Sequence, residues 1–399
     1  MSEKTILLEK IHITNFLSLR DVELSLKPLT VLVGPNASGK SNVLGAIRLF
    51  GEMMVSENLP HPDYIQNLTW AGTTLNVGFH IKVNVAGTPT VYNLELSGGA
   101  KTGNKVILEE LAVGKESIKV ISIKNGQGEV RDEDNKNETS YRSKKLALKS
   151  AGDYGNKPIT NMLTDFIRDW EFYDFQPKIM RGGDLFSQII ARSDLMTSIE
   201  DLQHEPRLDD DGTTLKHILS YWSEHDKERF QAVNDELQKC TRLGLEQIGS
   251  NGDTKLYLQE GYEKPIPLRR ASDGTLRLIA YYVLLNQSKL PPLITIEEPE
   301  RNLHPAALND IANVLELLAE RTQVIITTHS SQLLDAFNPE NLSENLGILL
   351  LQNSPGKGTQ VINFDDTRKD REALDGWIED FGIGSAIFDS ELLQDLMVR

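Results

Sequence analysis

Hydrophobic residues near the start of the chain are spaced as they are in strands. Residues 6–13 are largely apolar, residues 22–26 alternate between apolar and polar side chains, and residues 29–33 form the kind of apolar run that is buried in a sheet. A helical spacing follows from Asn42 to about Met54. These patterns predict three strands followed by a helix.

The next segment, residues 74–130, returns to the alternating pattern of strands. Glycine- or asparagine-containing turns interrupt it at residues 97–99 and 125–126. We therefore expect an antiparallel β region. Residues 131–156 are polar and nearly free of large apolar side chains, which predicts a mobile loop or linker.

The second half of the chain is first helical and then alternates between strand and helix patterns. Helical spacing across residues 158–170 and 215–237 predicts a helical subdomain. After residue 249 the alternation indicates a parallel sheet with helices packed on it. The alternating segments are residues 255–259, 275–286, 293–296, 306–319 and 324–328. A hairpin at residues 346–364 and two short helices complete the pattern.

Composition restricts the class of protein. The 399 residues carry a formal net charge of -16, which argues against binding nucleic acid by bulk electrostatics, although a local basic patch is compatible with it. Cys240 is the one cysteine and no signal-peptide pattern begins the chain, so we expect a reducing cytoplasm. The longest apolar run, near residues 276–285, is too short to span a bilayer. We therefore expect no membrane insertion.

The first strand-to-helix connection carries the most specific chemistry. Gly34-Pro35-Asn36-Ala37-Ser38-Gly39-Lys40-Ser41 has the spacing G-x-x-x-x-G-K-[ST], and the helix continues from Asn42. Glycines let the backbone N–H groups converge on phosphate oxygens, and the helix N-terminus adds its positive end. We expect Lys40 to reach the β- and γ-phosphates and Ser41 to ligate Mg²⁺. A chance glycine-rich turn is the alternative, but the strand, loop and helix context favours a nucleoside triphosphate site.

Two later strands also end in polar side chains. Residues 293–296 precede Glu297-Glu298-Pro299-Glu300, as in a Walker B element. We expect Glu297 to hold Mg²⁺ through water and Glu298 to orient or deprotonate the attacking water. The alternative is an acidic first helical turn. Residues 324–328 deliver His329 to the same sheet edge, where it can contact the γ-phosphate or the water; a capped surface histidine is the alternative.

A third polar turn, Ser272-Asp273-Gly274, precedes an amphipathic segment. Ser272 or Asp273 can cap the helix that follows. A capped helix N-terminus is also an anion site for a phosphate that arrives from outside the chain. The two interpretations are compatible.

Taken together, these motifs resemble the ABC-type ATPases of the SMC/RecF/OLD-related group, in particular bacterial AAA-family ATP-binding proteins. The resemblance runs in order along the chain. It is carried by residues 13–19 (ITNFLSL), the phosphate loop, 272–277 (SDGTLR) in place of the transporter signature, 297–300 (EEPE), 303–305 (LHP) and 328–330 (THS).

The resemblance implies an α/β fold of the P-loop NTPase, ABC-ATPase type. Its central sheet would be mixed or parallel, with an antiparallel β subdomain and a helical subdomain. We expect one composite head over residues 1–399. Its parts would be a Walker A lobe (1–72), an antiparallel β region with a polar loop (73–157), a helical subdomain (158–250), and a lobe with the signature, Walker B, His329, C-terminal hairpin and helices (251–399).

The same resemblance implies ATP hydrolysis in a homodimer. Two ATP molecules with Mg²⁺ would be sandwiched, so that the phosphate loop of one chain faces Ser272 and Gly274 of the other. Asn302 would contact the partner across the interface. Gln176 is a candidate for the glutamine that touches Mg²⁺ or water, with an exposed loop glutamine as the alternative.

Two residues depart from the wider superfamily. Glu297 stands where many relatives have aspartate, so its contact with the metal would be longer or mediated by water. Asp273 replaces a glycine of the signature and puts an acid near a triphosphate.

Two functions fit these features. The first is an ATP-driven dimerisation switch in DNA-related processing, such as repair or anti-phage defence. The basic segment 141–145, together with Lys149, is a candidate DNA contact; the alternative is an ordinary solvated loop. The second is a regulatory ATPase subunit that controls a separately encoded nuclease or toxin effector. About 70 residues follow His329, so we expect no C-terminal Toprim nuclease domain.

Two other classes are disfavoured. The signature and the long insertions between the phosphate loop and the acid pair argue against a transporter subunit. The chain shows no Asn/Thr-Lys-x-Asp pattern for reading a guanine base, which argues against a GTPase.

Overall fold

A computed structural model describes residues 6–97, 99, 106–142, 145–151, 155–181, 205–248, 255–259, 265–371 and 373–389. The strands are β1 Ile6–Phe16, β2 Leu19–Ser25, β3 Leu29–Val33, β4 Val77–Val85, β5 Thr88–Leu96, β6 Val106–Val113, β7 Ile118–Lys124, β8 Gln127–Arg131, β9 Glu138–Arg142, β10 Glu171–Tyr173, β11 Gly244–Ile248, β12 Lys255–Gln259, β13 Ile266–Pro267, β14 Leu293–Glu297, β15 Gln323–Thr328, β16 Leu346–Ser354 and β17 Gly358–Asn363. The helices are α1 Lys40–Val55, α2 Pro62–Asn67, α3 Ala147–Ala151, α4 Pro158–Arg168, α5 Pro177–Met180, α6 Leu215–His225, α7 Lys227–Thr241, α8 Asp273–Asn286, α9 Leu308–Arg321, α10 Ser331–Asp335, α11 Phe364–Asp370, α12 Ala373–Phe381 and α13 Ile383–Phe388.

The central sheet has six strands in the order β10-β14-β15-β3-β16-β17. The first five are parallel to their neighbours, and β17 pairs with β16 in the antiparallel direction. Because β3, β14 and β15 run the same way, their carboxyl ends meet at one edge. This mixed sheet confirms the predicted α/β fold.

Both faces of the central sheet are buried, and the residues of β3 show how they divide. Leu29, Val31 and Val33 belong to a hydrophobic cluster that includes helices α6 to α9. Leu32 points into a second cluster, which contains α1 and the antiparallel β region. Since strands covered on both faces must be apolar throughout, this placement explains the apolar runs seen in the sequence.

The antiparallel β region is an eight-stranded sheet in the order β2-β1-β4-β5-β6-β7-β8-β9. The predicted turn at Asn125-Gly126 joins β7 to β8, and both residues have positive φ, 52° and 73°. Such angles belong to the tight hairpin turns that asparagine and glycine favour. Within the described residues no helix is both long and apolar enough to cross a bilayer.

The prediction of a mobile linker at residues 131–156 was wrong for its described part. Strand β9 extends the eight-stranded sheet, and α3 packs beside α4. Asp132 fixes the connection, because its carboxylate accepts hydrogen bonds from Asn137 Nδ2 at 2.7 Å, the Asn156 N–H at 3.1 Å and Lys157 Nζ at 3.1 Å. Polar side chains here hold the backbone instead of leaving it free.

Four further sequence expectations need correction. The helical pattern at 215–237 is two helices, since Asp226 ends α6 and its side chain caps α7 through the Arg229 N–H at 3.2 Å. Strand β10 lies inside the span expected to be helical. Strand β12 pairs antiparallel with β11 and β13 in a separate sheet. After the hairpin, three helices follow among the described residues instead of two.

A buried carboxylate ties the eight-stranded sheet to α3. Glu109 of β6 is fully buried and accepts hydrogen bonds from Tyr92 Oη at 2.9 Å and from the N–H groups of Ala147 and Leu148, both at 2.8 Å. Burial raises the pKa of Glu109 to about 6, although these hydrogen bonds act in the opposite direction.

We expect Glu109 to make stability depend on pH. A pKa raised from 4.5 to about 6 means that the folded chain holds this proton more tightly than the unfolded chain. Between pH 4.5 and 7, the wild type should therefore lose about 2 kcal/mol of unfolding free energy relative to Glu109→Gln, which does not titrate. Urea unfolding of both proteins across this range measures the difference. A difference that does not change with pH would contradict the expectation.

Candidate functional site

The phosphate loop requires glycine at both of its fixed positions. Gly39 has φ +106°, and a Cβ there would lie 2.1 Å from Thr359 Oγ1. A Cβ on Gly34 would lie 2.3 Å from the carbonyl oxygen of Leu351. The loop therefore packs directly against the β16–β17 hairpin, with no room for a side chain at either glycine.

Two side chains from distant segments, Thr359 and Ser18, hold the loop from behind, together with Asn42 of α1. Thr359 Oγ1 donates to the carbonyl oxygen of Ser38 at 3.1 Å, and Ser18 Oγ lies 2.7 Å from Thr359 Oγ1. Asn42 Nδ2 donates to Ser18 Oγ at 2.7 Å. Thr359 could not be identified from the sequence as part of this site, because it is 321 residues from Ser38 along the chain.

The interior of the loop presents polar groups suited to an anion. Lys40 is only 7% exposed, and its Nζ donates to the carbonyl oxygens of Gly34 at 2.7 Å and Pro35 at 3.0 Å. Among the described residues Ser38 Oγ is buried without a hydrogen-bond partner. Burial lowers the pKa of Lys40, and Glu298, Glu297 and Glu300 oppose that shift. A phosphate group would supply the acceptors that this cradle lacks.

The structure brings Ser41 and Glu297 together. Ser41 at the start of α1 donates a hydrogen bond to Glu297 Oε1 at the end of β14. In the sheet, β15 lies between β14 and β3. The N-terminus of α1, which follows β3, therefore contacts the end of β14 across one intervening strand. No cluster of three His, Cys, Asp or Glu side chains suited to a metal occurs in the described chain. A hydroxyl and one carboxylate fit Mg²⁺ that takes its other ligands from phosphates and water.

Glu298 and His329 also meet at this edge. His329 Nδ1 lies 3.1 Å from Glu298 Oε1. Glu298 has φ +44°, and its N–H donates to the carbonyl oxygen of Thr327 at 3.1 Å. Left-handed backbone at a residue with a side chain is held by its surroundings and is often found at functional sites. The Glu298 side chain is 25% exposed, so water can reach it.

Glu300 is a site residue to which the sequence assigned no role. It is 9% exposed, accepts a hydrogen bond from Thr328 Oγ1 at 2.6 Å, and its Oε1 lies 4.0 Å from His329 Nδ1. Burial raises the pKa of Glu300. Its Oε2 has no hydrogen-bond partner among the described residues. Its position in the acid turn was the one signal in the sequence that could have identified it. The register of β14 and β15 determines where the polar residues of this turn lie.

The signature turn lies apart from the phosphate loop of its own chain. Ser272 is exposed and caps α8, accepting a hydrogen bond from the Thr275 N–H at 3.1 Å. A Cβ on Gly274 would lie 2.6 Å from the carbonyl oxygen of Asn302, so the signature turn packs on the turn after the acids. Within the described ranges, no hydrogen bond or ion pair joins this turn to residues 34–41.

Asn302 and Gln176 both lie at the surface. Asn302 is exposed and has φ +65°. Gln176 is exposed three residues after β10, and its N–H donates to the carbonyl oxygen of Asp211 at 3.1 Å. Just after β10, Asp174 pairs with Arg301 and lies 3.9 Å from the buried Arg277. This ion cluster joins the end of β10 to α8 and to the acid turn.

Comparison with known proteins identifies a matching family and a similar phage protein. Residues 29–335 match the family described as "AAA domain, putative AbiEii toxin, Type IV TA system". The chain is 23% identical over 372 residues to the Old nuclease of Escherichia phage P2, covering 84% of this chain and 58% of that protein. It thus spans little more than half the length of this relative.

Solved structures of SMC heads are also similar to the chain. The SMC head domain from Thermotoga maritima shows 14% identity and a TM-score of 0.45, covering 89% of this chain and 98% of that one. An Smc head with an extended coiled coil, bound to the C-terminal domain of ScpA derived from Pyrococcus furiosus, shows 13% identity and a TM-score of 0.49, with coverage of 93% and 100%. The family match spans most of the chain, from β3 to α10, and the chain therefore belongs to this AAA-domain family as an ABC-type ATPase of the SMC/RecF/OLD-related group.

Proposed function

We propose that the protein binds and hydrolyses ATP and that ATP controls the association of two copies. One observation carries this proposal: the Glu298 carboxylate, held by His329, stands at the same sheet edge as Lys40, Ser41 and Glu297. A carboxylate beside a phosphate loop is what the activation of water requires.

Each of these residues has a separate role in hydrolysis. Lys40 and the N–H groups of the loop bind the β- and γ-phosphates, and Ser38 Oγ adds a hydrogen bond. Ser41 and Glu297 would hold Mg²⁺, which would neutralise charge on the phosphates when bound. Glu298 accepts a proton from the attacking water, a bond forms from the water oxygen to the γ-phosphorus, and the bond to the bridging oxygen of ADP breaks. His329 orients Glu298 and can donate to the γ-phosphate.

The signature turn supports association of two copies. Ser272 is exposed at the N-terminus of the fourteen-residue helix α8, where backbone N–H groups favour an anion. Because this turn is not joined to its own phosphate loop, the nucleotide of a second copy is the partner that fits it. Exposed Asn302, which packs beside Gly274, would lie at the same interface.

The consequence of association is DNA-related processing. The P2 relative is a nuclease by name, which supports this class. The alternative is control of a separately encoded nuclease or effector without direct DNA contact. It is favoured by Lys149, whose Nζ donates to the carbonyl oxygens of Ser56 and, at 3.5 Å, Val55 at the end of α1, so that this ammonium group already has acceptors within the chain. Residues 143 and 144 of the proposed basic cluster lie outside the described residues.

Light scattering during chromatography tests association. With ATP and Mg²⁺, we expect Glu298→Gln to elute at about twice the 44.7 kDa chain mass, because it keeps ATP without hydrolysing it. Glu298→Gln combined with Ser272→Arg should bind ATP but keep the mass measured without it, since the arginine blocks the interface. The same mass with and without ATP, or association that Ser272→Arg leaves intact, would refute the proposal.

A further inference from the structure

The side chain of Arg181, which comes from the helical region, contacts the signature turn. It follows α5, and its Nη2 donates to the carbonyl oxygen of Ala271 at 2.8 Å and to Asp273 Oδ1 at 2.5 Å. The carbonyl oxygen of Arg181 accepts a hydrogen bond from Lys216 Nζ of α6 at 2.8 Å. Its backbone and its guanidinium group are therefore both fixed beside Ser272.

The charge of Asp273 explains why an arginine is needed here. An acid in the first turn of α8 stabilises the helix, but it also opposes the approach of a triphosphate to Ser272. The Arg181 guanidinium neutralises that acid. Among the described residues both of its hydrogen bonds use Nη2, so Nε and Nη1 retain donors for another acceptor. A planar fork with five donors can bind a carboxylate and a phosphate together.

We propose that Arg181 binds the γ-phosphate of the ATP held by the phosphate loop of a second copy of this chain. The inference rests on the proposed function, since it needs the signature turn of one chain to face the nucleotide of the other. The Asp273 carboxylate holds the guanidinium fork in position, and the side chain, 29% exposed, lies at the surface where the second copy docks. Arg181 is thus a catalytic residue supplied in trans.

Mixing two inactive variants tests whether Arg181 acts on the nucleotide bound by the second copy. Lys40→Met lacks a working phosphate loop but keeps Arg181, whereas Arg181→Ala keeps its own loop. A mixed dimer therefore contains one site with an intact loop from the Arg181→Ala chain and an intact signature turn from the Lys40→Met chain. We expect each variant alone to lose about 100-fold in ATPase rate and the mixture to exceed their sum by about tenfold.

Reference variants separate this inference from the dimer proposal. Lys40→Met mixed with Ser272→Ala, which removes the signature hydroxyl without adding the bulk that blocks the interface, tests the shared site itself. If that mixture regains activity and the Arg181→Ala mixture does not, Arg181 does not act in trans and the inference is overturned. If neither regains activity, the shared site and the inference both fall.

Two further measurements exclude a merely structural role. Arg181→Ala alone should still be stabilised by ATP in thermal unfolding, because its own loop is intact; loss of that shift would overturn the inference. Arg181→Lys should recover part of the rate, since it keeps the charge without the fork. Lys178→Ala, which removes an exposed positive charge from α5, should retain the wild-type rate.

Discussion

Glu298→Gln should reduce the rate of ATP hydrolysis by about 10² to 10⁴-fold while ATP binding is retained. The amide has the size of the carboxylate but cannot take a proton from water. The N–H of residue 298 still donates to the carbonyl oxygen of Thr327, so the left-handed backbone is preserved. Release of phosphate, measured at saturating ATP, reports the rate, and a fluorescent nucleotide reports binding.

A matched substitution separates this effect from the loss of a negative charge. Glu320→Gln changes an exposed carboxylate on α9 and should leave the rate unchanged. His329→Ala should lower the rate less than Glu298→Gln does, because it removes the contact that orients Glu298 and leaves the base itself. Hydrolysis by Glu298→Gln at the wild-type rate would mean that another group activates the water.

The phosphate loop and the central strands could be predicted because their signals are local. Residues 29–41 contain the strand, both glycines and the start of α1, so one short segment specifies the turn. The strands that end at Glu297 and Thr328 are buried on both faces and therefore read as apolar runs. Parallel pairing then brings their ends together, which is why the sequence could predict that the acids and His329 lie at one edge of the sheet.

The linker prediction failed because edge strands and capped turns need few apolar residues. Strand β9 is the last strand of its sheet, and four of its five side chains are exposed. Its polar sequence therefore resembles a loop. The break at Asp226 was missed for a related reason, since the apolar spacing continues through the capping residue.

Contacts between distant segments could not be read from the sequence. Ser18 and Thr359, whose side chains meet behind the phosphate loop, are 341 residues apart, and Arg181 and Asp273 are 92 apart. Spacing along one strand or helix carries no information about such pairs, which depend on the order of strands in the sheet. The aspartate in the signature turn was visible as a departure, but its neutralising partner became apparent only in the fold.

Lys40→Met should abolish the stabilisation by ATP and leave the nucleotide-free protein about as stable as the wild type. The ammonium group is buried against two carbonyl oxygens and its pKa is lowered by that burial, so the nucleotide-free fold gains little from the charge. Wild type at an ATP concentration of about 100 times its Kd should gain about 2.7 kcal/mol, whereas the variant should gain almost nothing.

Thermal unfolding with and without ATP and Mg²⁺ measures both quantities, and Lys357→Met is the control. Lys357 is exposed in the hairpin turn, two residues before Thr359, which hydrogen-bonds to the phosphate loop. Its substitution should leave the ATP-induced shift intact. If Lys40→Met kept a wild-type shift, the triphosphate would bind without this lysine. If the nucleotide-free variant instead unfolded far below the wild type, the ammonium would serve mainly to brace the loop carbonyls, because its loss would then cost stability even without a phosphate.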